Sequence, residues 1–321
     1  MKSVQREIDE RTNLTGSNKF ELLLFRLGKD AVRGQSELFG INVFKVREIV
    51  TIPEITPIAG APTHSMGVAR LREQVIPVFD LPAIVGCTPA VEPNLMIVTE
   101  YARSTQAFAV ESVEDIVRLD WNQVMSAEAS EVGRSLITSI ARFEDSQGET
   151  HLLQVLDVEA ILQMIAPVED RQQDQLKTVS HEVHLKPGTI ILAADDSMVA
   201  RSLMENALET MNVPFEMVKS GKEAWDRLNA LAKAAEAEGK TIYDKVSLVL
   251  SDLEMPEMDG FTLTRNIKQD SRFSRLPVII HSSLSGTANE EHVRRVGADG
   301  YVVKFAADEL ADTIRRVLAK Y

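Results

Sequence analysis

The chain has 321 residues, more than one hydrophobic core usually spans, so two domains are expected. Its formal charge is −13, with 15 basic against 23 acidic residues over 1–165 and 20 against 25 over 166–321, which argues against a basic nucleic-acid-binding face in either half. The single cysteine, Cys87, excludes an internal disulfide and a cysteine zinc site.

Residues 1–18 are polar, lack the apolar core of a signal peptide and read as a flexible segment. No apolar run approaches the ~20 residues of a membrane span, so a cytoplasmic protein without direct membrane insertion is expected. Over 19–166 short apolar segments alternate with turn residues: FELLLFRLG, VIPVFDL, LMIVTEY, AFAVESV, SLITSIARF and HLLQVLDV. Hairpin turns are expected at Ala102–Ser104 and at the polar tip EDSQGE. The spacing predicts an all-β domain of barrel type, closed by a helix with Val158, Ile161, Leu162 and Ile165 on one face and Asp157 as N-cap. Asp80, before Leu81 and Pro82, reads as a second helix cap rather than a catalytic acid. His64 and His151 have no evident partner in the sequence.

Residues 167–188 carry Gln, Asp and Pro and few large apolar side chains, and read as a linker. The HEVH segment within it offers two histidines without a third ligand and reads as solvated chain. Over 189–321 the periodicity changes. Strand-like IILAA, PFEMV, VSLVLSD, PVIIHSS and YVVK alternate with helical VARSLMENALETM, EAWDRLNALAKAAEA, FTLTRNIKQD, a stretch around EEHVRRVG, and DELADTIRRVLAK. Five strands alternating with five helices imply an α/β, doubly wound parallel sheet of flavodoxin-like form.

In such a sheet, ligands gather beyond the carboxyl ends of the strands. Asp195 and Asp196 end the first strand, Asp252 the third, Ser282 the fourth and Lys304 the fifth. Three carboxylates and an ammonium at the ends of buried strands are costly to desolvate without partners. They point to a divalent cation beside a phosphoryl group.

This second segment resembles the receiver domain of bacterial response regulators. The acidic pair, Asp252 in DLEMPEMDG, Ser282 in HSS and Lys304 after YVV stand in that family's order. The resemblance implies Asp252 as phosphoacceptor. It implies Mg2+ held directly by Asp196 and Asp252, through water by Asp195, and by the backbone carbonyl of Glu254. Ser282 and Lys304 would contact the phosphoryl oxygens, and Ser282 and Tyr301 would form the switch. Two departures stand out: Phe305 replaces a frequent proline, and Ser282 a commoner threonine.

The first segment resembles the CheW adaptor of bacterial chemotaxis, a pair of small β-barrels, through FELLLFRLG, FGINVFKVREIV, MGVARLREQVIPVFDL and LLQVLDVEAIL. The resemblance places Val46, Glu48, Gly67 and Arg72 at partner-binding positions. Gly67 has an alternative reading as a turn former, and Val46 as core. Arg72 is expected to present its guanidinium from an apolar strand. Glu73 stands where glycine is usual, either to pair with Arg72 or to alter the partner surface. An adaptor followed by a receiver is the organisation of the CheV family of chemotaxis coupling proteins. That resemblance implies a scaffold, not a turnover enzyme, that joins chemoreceptor tips to the histidine kinase CheA at receptor arrays and is phosphorylated at Asp252. The alternatives are an aspartyl-nucleophile phosphohydrolase, whose second acid would fall at Glu254, and a transcriptional response regulator, which would need a basic DNA-reading module.

Overall fold

The structure is a computed structural model that describes residues 19–30, 34–101, 104–126, 136–145, 148–165, 182–283, 293–304 and 307–321. The chain divides into two compact units, Met1–Pro167 and Val168–Tyr321. Among the described residues, no helix is long and apolar enough to cross a membrane.

The first unit is β-rich. In chain order it contains β1 (Phe20–Asp30), β2 (Ser36–Asn42), β3 (Val46–Thr51), β4 (Ile55–Thr56), β5 (Ser65–Leu71), β6 (Gln74–Asp80), α1 (Leu81–Val85), β7 (Cys87–Thr88) and β8 (Leu95–Tyr101). There follow β9 (Ser104–Val110), β10 (Ser112–Leu119), β11 (Val124–Ser126), β12 (Ile137–Glu144), β13 (Thr150–Leu156) and α2 (Val158–Ile165). One sheet runs β10-β1-β2-β13-β12-β11, with β7 also on β1; the other runs β3-β8-β9-β6-β5-β4. Each sheet buries an apolar cluster, Leu22, Leu24, Leu153 and Val155 in the first and Ile76, Val78, Met96 and Val98 in the second. In both, residues two apart along a strand fall on the same side, the period of a pleated sheet.

The strands flanking both expected turns pair, while residues 102–103 and 146–147 of those turns lie outside those described. Tyr101 pairs with Ser104, and Glu144 with Thr150, across connections too short for anything but a direct reversal. Both expected caps form as well. Asp80 Oδ1 accepts from Ala83 N and Asp157 Oδ1 from Ala160 N, each at 3.0 Å, satisfying donors that the first helical turn leaves open.

The helix α2 brings a carboxylate into the core. Glu159 is 1% exposed and faces Lys45 Nζ at 3.7 Å, the lysine itself being buried. An ion pair buried in this way is weak evidence for net stability, but removing one member takes a counter-charge from the other.

The second unit is a parallel sheet in the order β15-β14-β16-β17-β18. Its strands are β14 (Ile190–Ala194), β15 (Phe215–Val218), β16 (Val246–Ser251), β17 (Val278–Ser282) and β18 (Gly300–Val303). The helices are α3 (Met198–Thr210), α4 (Gly221–Ala237), α5 (Gly260–Gln269) and α6 (Ala307–Leu318). Of the helix expected around EEHVRRVG, residues 293–295 are helical, and the residues before 293 lie outside those described. Alternate strand residues feed two cores. Leu192, Val249 and Ile280 meet Leu228 of α4 and Leu263 of α5; Ile191, Leu248 and Ile279 meet Leu208 of α3 and Ile314 of α6. Both faces are therefore covered, which explains why these strands read as continuous apolar runs. Packing begins before β14: Val183 is 3% exposed within the second core and donates its N–H to Met211. Residues 182–188, which from sequence read as the end of a linker, thus include part of this unit's core.

Strand order reverses between β14 and β16, so the loops after these two strands diverge and leave a crevice. The start of α5 closes one wall of it. A Cβ on Gly260 would lie 2.1 Å from the carbonyl oxygen of Asp252, backbone against backbone.

Two outcomes are expected. Gly260→Ala should lower stability by about 1–3 kcal/mol, read from the urea midpoint, because neither chain segment can yield by a rotamer change. Glu159→Ala should cost about 3–5 kcal/mol, and adding Lys45→Met should recover much of it, since the buried ammonium that faced the carboxylate is then removed as well. Equal midpoints for the single and double variants would refute the second expectation.

Candidate functional site

Each acid of the crevice is placed by the end of a strand. Asp195 follows β14 directly, and its N–H donates to Val218 O, extending the ladder by one residue. Asp252 follows β16, and its N–H donates to Ala194 O at 2.8 Å, tying the two acidic loops together. Lys304 follows β18 and donates its N–H to Ser282 O at 2.8 Å, which fixes the ends of β17 and β18 in step.

The side chains converge. Lys304 Nζ lies 2.7 Å from Asp195 Oδ2 and 3.1 Å from Asp252 Oδ2, with all three side chains at most 3% exposed. The other oxygen of each carboxylate accepts a backbone N–H: Asp195 Oδ1 from Ser197 at 3.0 Å, Asp252 Oδ1 from Leu253 at 2.7 Å. Asp196 is half-buried beside them. Asp195, Asp196 and Asp252 each offer an oxygen within 4.8 Å of the others. At that separation, and at an effective dielectric constant of ~20, two carboxylates repel by about 3–4 kcal/mol. Three carboxylates and one ammonium leave two formal negative charges (−3 + 1 = −2). An all-oxygen donor set with that charge suits a hard divalent cation.

The surrounding loop is anchored rather than loose. Met255 is 1% exposed and inserts into the core, while Glu254 is buried between it and Leu253. Asp259 caps α5, its Oδ1 accepting from Thr262 N at 2.6 Å. Burial pushes the Asp259 carboxyl above its ordinary value, against the hydrogen bonds from Thr262 and Phe261 and the charge of Arg265. Ser282 is 1% exposed at the same sheet edge. Tyr301 is half-buried on β18, opposite Ile280 in register and packed against the core beneath α4 and α5. The five receiver positions singled out from sequence, 195, 196, 252, 282 and 304, thus lie along one edge; Phe305 falls outside the described residues.

Two of the four adaptor candidates, Gly67 and Arg72, are arranged differently from the expectation. Val46 is buried at the start of β3, opposite Thr99. Gly67 lies within β5, not in a turn, at a register shift between Ser65 and Gly67. Its φ of +128° and the 2.3 Å that would separate a Cβ from Thr56 O show why glycine stands there. Arg72 is likewise not in a strand. It occupies the two-residue turn between β5 and β6 with φ +55°, so its side chain projects from the hairpin tip. There it pairs with Glu48 at 2.8 Å, and not with Glu73. Glu48 is buried and Arg72 mostly exposed, so two of the four positions form a single charged feature.

Sequence reasoning missed three contacts. His151 is partnered, by Asp145 at 2.8 Å across the β12–β13 tip. Lys45 meets Glu159 from 114 residues away (159 − 45). Arg201, on α3, donates Nη1 to the carbonyl oxygens of Asp195 and Asp196. Only the last had a usable signal, an arginine one helical turn after the capping Ser197 that follows the acid pair.

Comparison with known proteins agrees with this division. Residues 21–166 match the CheW-like domain, and residues 191–315 match the response regulator receiver domain. Chemotaxis protein CheV2 of Helicobacter pylori is 29% identical over 98% of this chain and 99% of its own length. CheV3 of the same organism is 29% identical over 94% of this chain and 96% of its own. CheV1, also from Helicobacter pylori, is 26% identical over 97% of each. The chain is therefore a CheW-like domain joined to a response regulator receiver domain, in the order of the CheV chemotaxis proteins.

Proposed function

We propose that this protein is a scaffold that couples chemoreceptor tips to the histidine kinase CheA and is regulated by phosphorylation of Asp252. The observation that carries this reading is the Lys304 ammonium shared between Asp195 and Asp252, at 2.7 and 3.1 Å. A lysine in that place neutralises part of the acid cluster and stands ready for oxygens of an incoming phosphoryl group. No general base is required, since Asp252 attacks as a carboxylate. Its oxygen forms the bond to phosphorus, the phosphorus–nitrogen bond of the kinase phosphohistidine breaks, and the electron pair returns to the imidazole.

The residues present fit Mg2+. Asp196 and Asp252 would hold it directly, Asp195 through water, and the Glu254 carbonyl would complete the protein share. The ion supplies charge neutralisation as two anions approach each other. Ser282 donates its hydroxyl to a phosphoryl oxygen, and Lys304 pairs with another. Movement of Ser282 toward that oxygen leaves room for Tyr301 to turn inward, which alters the face the receiver presents. The result is a modified protein, not repeated turnover.

In the adaptor, the exposed Arg72 guanidinium, held by Glu48, is part of the surface offered to receptors and kinase, and buried Val46 and Gly67 shape the strands beneath it. The guanidinium at a hairpin tip, held by a buried carboxylate, suits a directional polar contact. The protein then works in the cytoplasm at the receptor arrays.

Phosphorylated CheA with Mg2+ should transfer label to the wild type and not to Asp252→Asn; undiminished label on that variant would remove the mechanism. Mg2+ at about 100 times its dissociation constant should stabilise the second unit by roughly 2.7 kcal/mol in a thermal melt. Asp196→Asn should abolish most of that gain, whereas a gain equal to the wild type's would place the cation elsewhere.

A further inference from the structure

Asp195 and Asp196 are consecutive, and consecutive side chains in an extended strand point to opposite faces. Yet both contribute an oxygen to one cluster, within 4.8 Å of each other and of Asp252. The backbone must therefore turn between them. The carbonyl groups record the turn: in extended chain they too alternate, but here the carbonyl oxygens of Asp195 and Asp196 both accept from Arg201 Nη1, at 3.0 and 2.8 Å. Arg201 is 8% exposed. Its own N–H donates to Ser197 O at 2.9 Å, and Ser197 caps the same helix by accepting from Ala200 N. Residues 195–201 are thus linked by a set of hydrogen bonds that includes the Arg201 guanidinium and the Asp195 carboxylate, which accepts from Ser197 N.

We propose that Arg201 is a positioning residue for the cation site, holding the acidic loop in the curl that turns two successive carboxylates to one ion. This inference rests on the reading of the site as a Mg2+ site. It makes a prediction opposite in sign to simple electrostatics. A fixed positive charge beside a cation site opposes cation binding, so on charge alone its removal would tighten Mg2+. If the guanidinium positions the loop, its removal weakens Mg2+. Groups behind the ligands of a metal site commonly contribute 10- to 100-fold in affinity.

The experiment is calorimetric titration of the full chain with Mg2+ alone, for wild type, Arg201→Met and Arg201→Lys, with melting temperatures recorded in chelator. Arg201→Met keeps much of the stem and loses every donor, and is expected to weaken Mg2+ by about tenfold or more. Arg201→Lys keeps the charge without the planar fork and should also weaken it, by a smaller factor. Should the methionine variant fail to fold, the lysine variant decides, because a pure charge effect leaves it at the wild-type affinity. Wild-type affinity in Arg201→Lys, or unchanged or tighter binding in Arg201→Met, would overturn the inference while leaving the Mg2+ reading intact. No Mg2+ binding by the wild type would overturn both.

Discussion

Like charges held close together without enough counter-charge set the terms for the second unit. A parallel sheet brings the ends of β14 and β16 side by side, and each ends in acid. Left alone, that arrangement would be destabilising by several kcal/mol. The fold answers it partly with Lys304, partly with N–H donors from Ser197 and Leu253, and leaves a residual deficit of positive charge. A functional site of this kind is a place where stability has been exchanged for the capacity to bind. The surrounding packing must be firm enough to hold the carboxylates against their repulsion. The double cover of helices and the buried Met255 provide that firmness.

The two units solve different problems. The receiver presents charge at one edge of a rigid layer, and its chemistry is compact. The adaptor has a mixed β architecture, with parallel pairings of β2 with β13 and of β6 with β9 set among antiparallel hairpins. Its polar features are long-range contacts between elements distant in sequence, such as Glu48 with Arg72 and Lys45 with Glu159. The first lies at a hairpin tip and the second is buried in the core.

That contrast governs how much could be read in advance. The receiver was legible because its signals are local: each strand is an apolar run and the candidate site residues follow their ends, so the topology alone gathers Asp195, Asp196, Asp252, Ser282 and Lys304. The hairpins at 101–104 and 144–150 and the caps at Asp80 and Asp157 were legible for the same reason, as turn and cap chemistry acts over a few residues. Gly67 and Arg72 were misplaced because a bulge and a two-residue turn shift the register by amounts that alternation does not encode. The partners of His151 and Lys45 depend on strand order and on burial of a particular helix face. Neither is a property of any short stretch of sequence. Arg201 was overlooked because a helical arginine reads as solvent-facing until one sees that its helix starts directly behind the acid pair.

The contact between Gly260 and Asp252 has a mechanical consequence. Most helix–strand junctions have slack, because the side chains between them can change rotamer and absorb a displacement. Here main chain rests on main chain, with no room for a methyl group. A displacement of the loop that carries Asp252 is therefore delivered undamped to the first turn of α5, and a push on that helix is felt at Asp252. The joint works as a stiff lever in both directions.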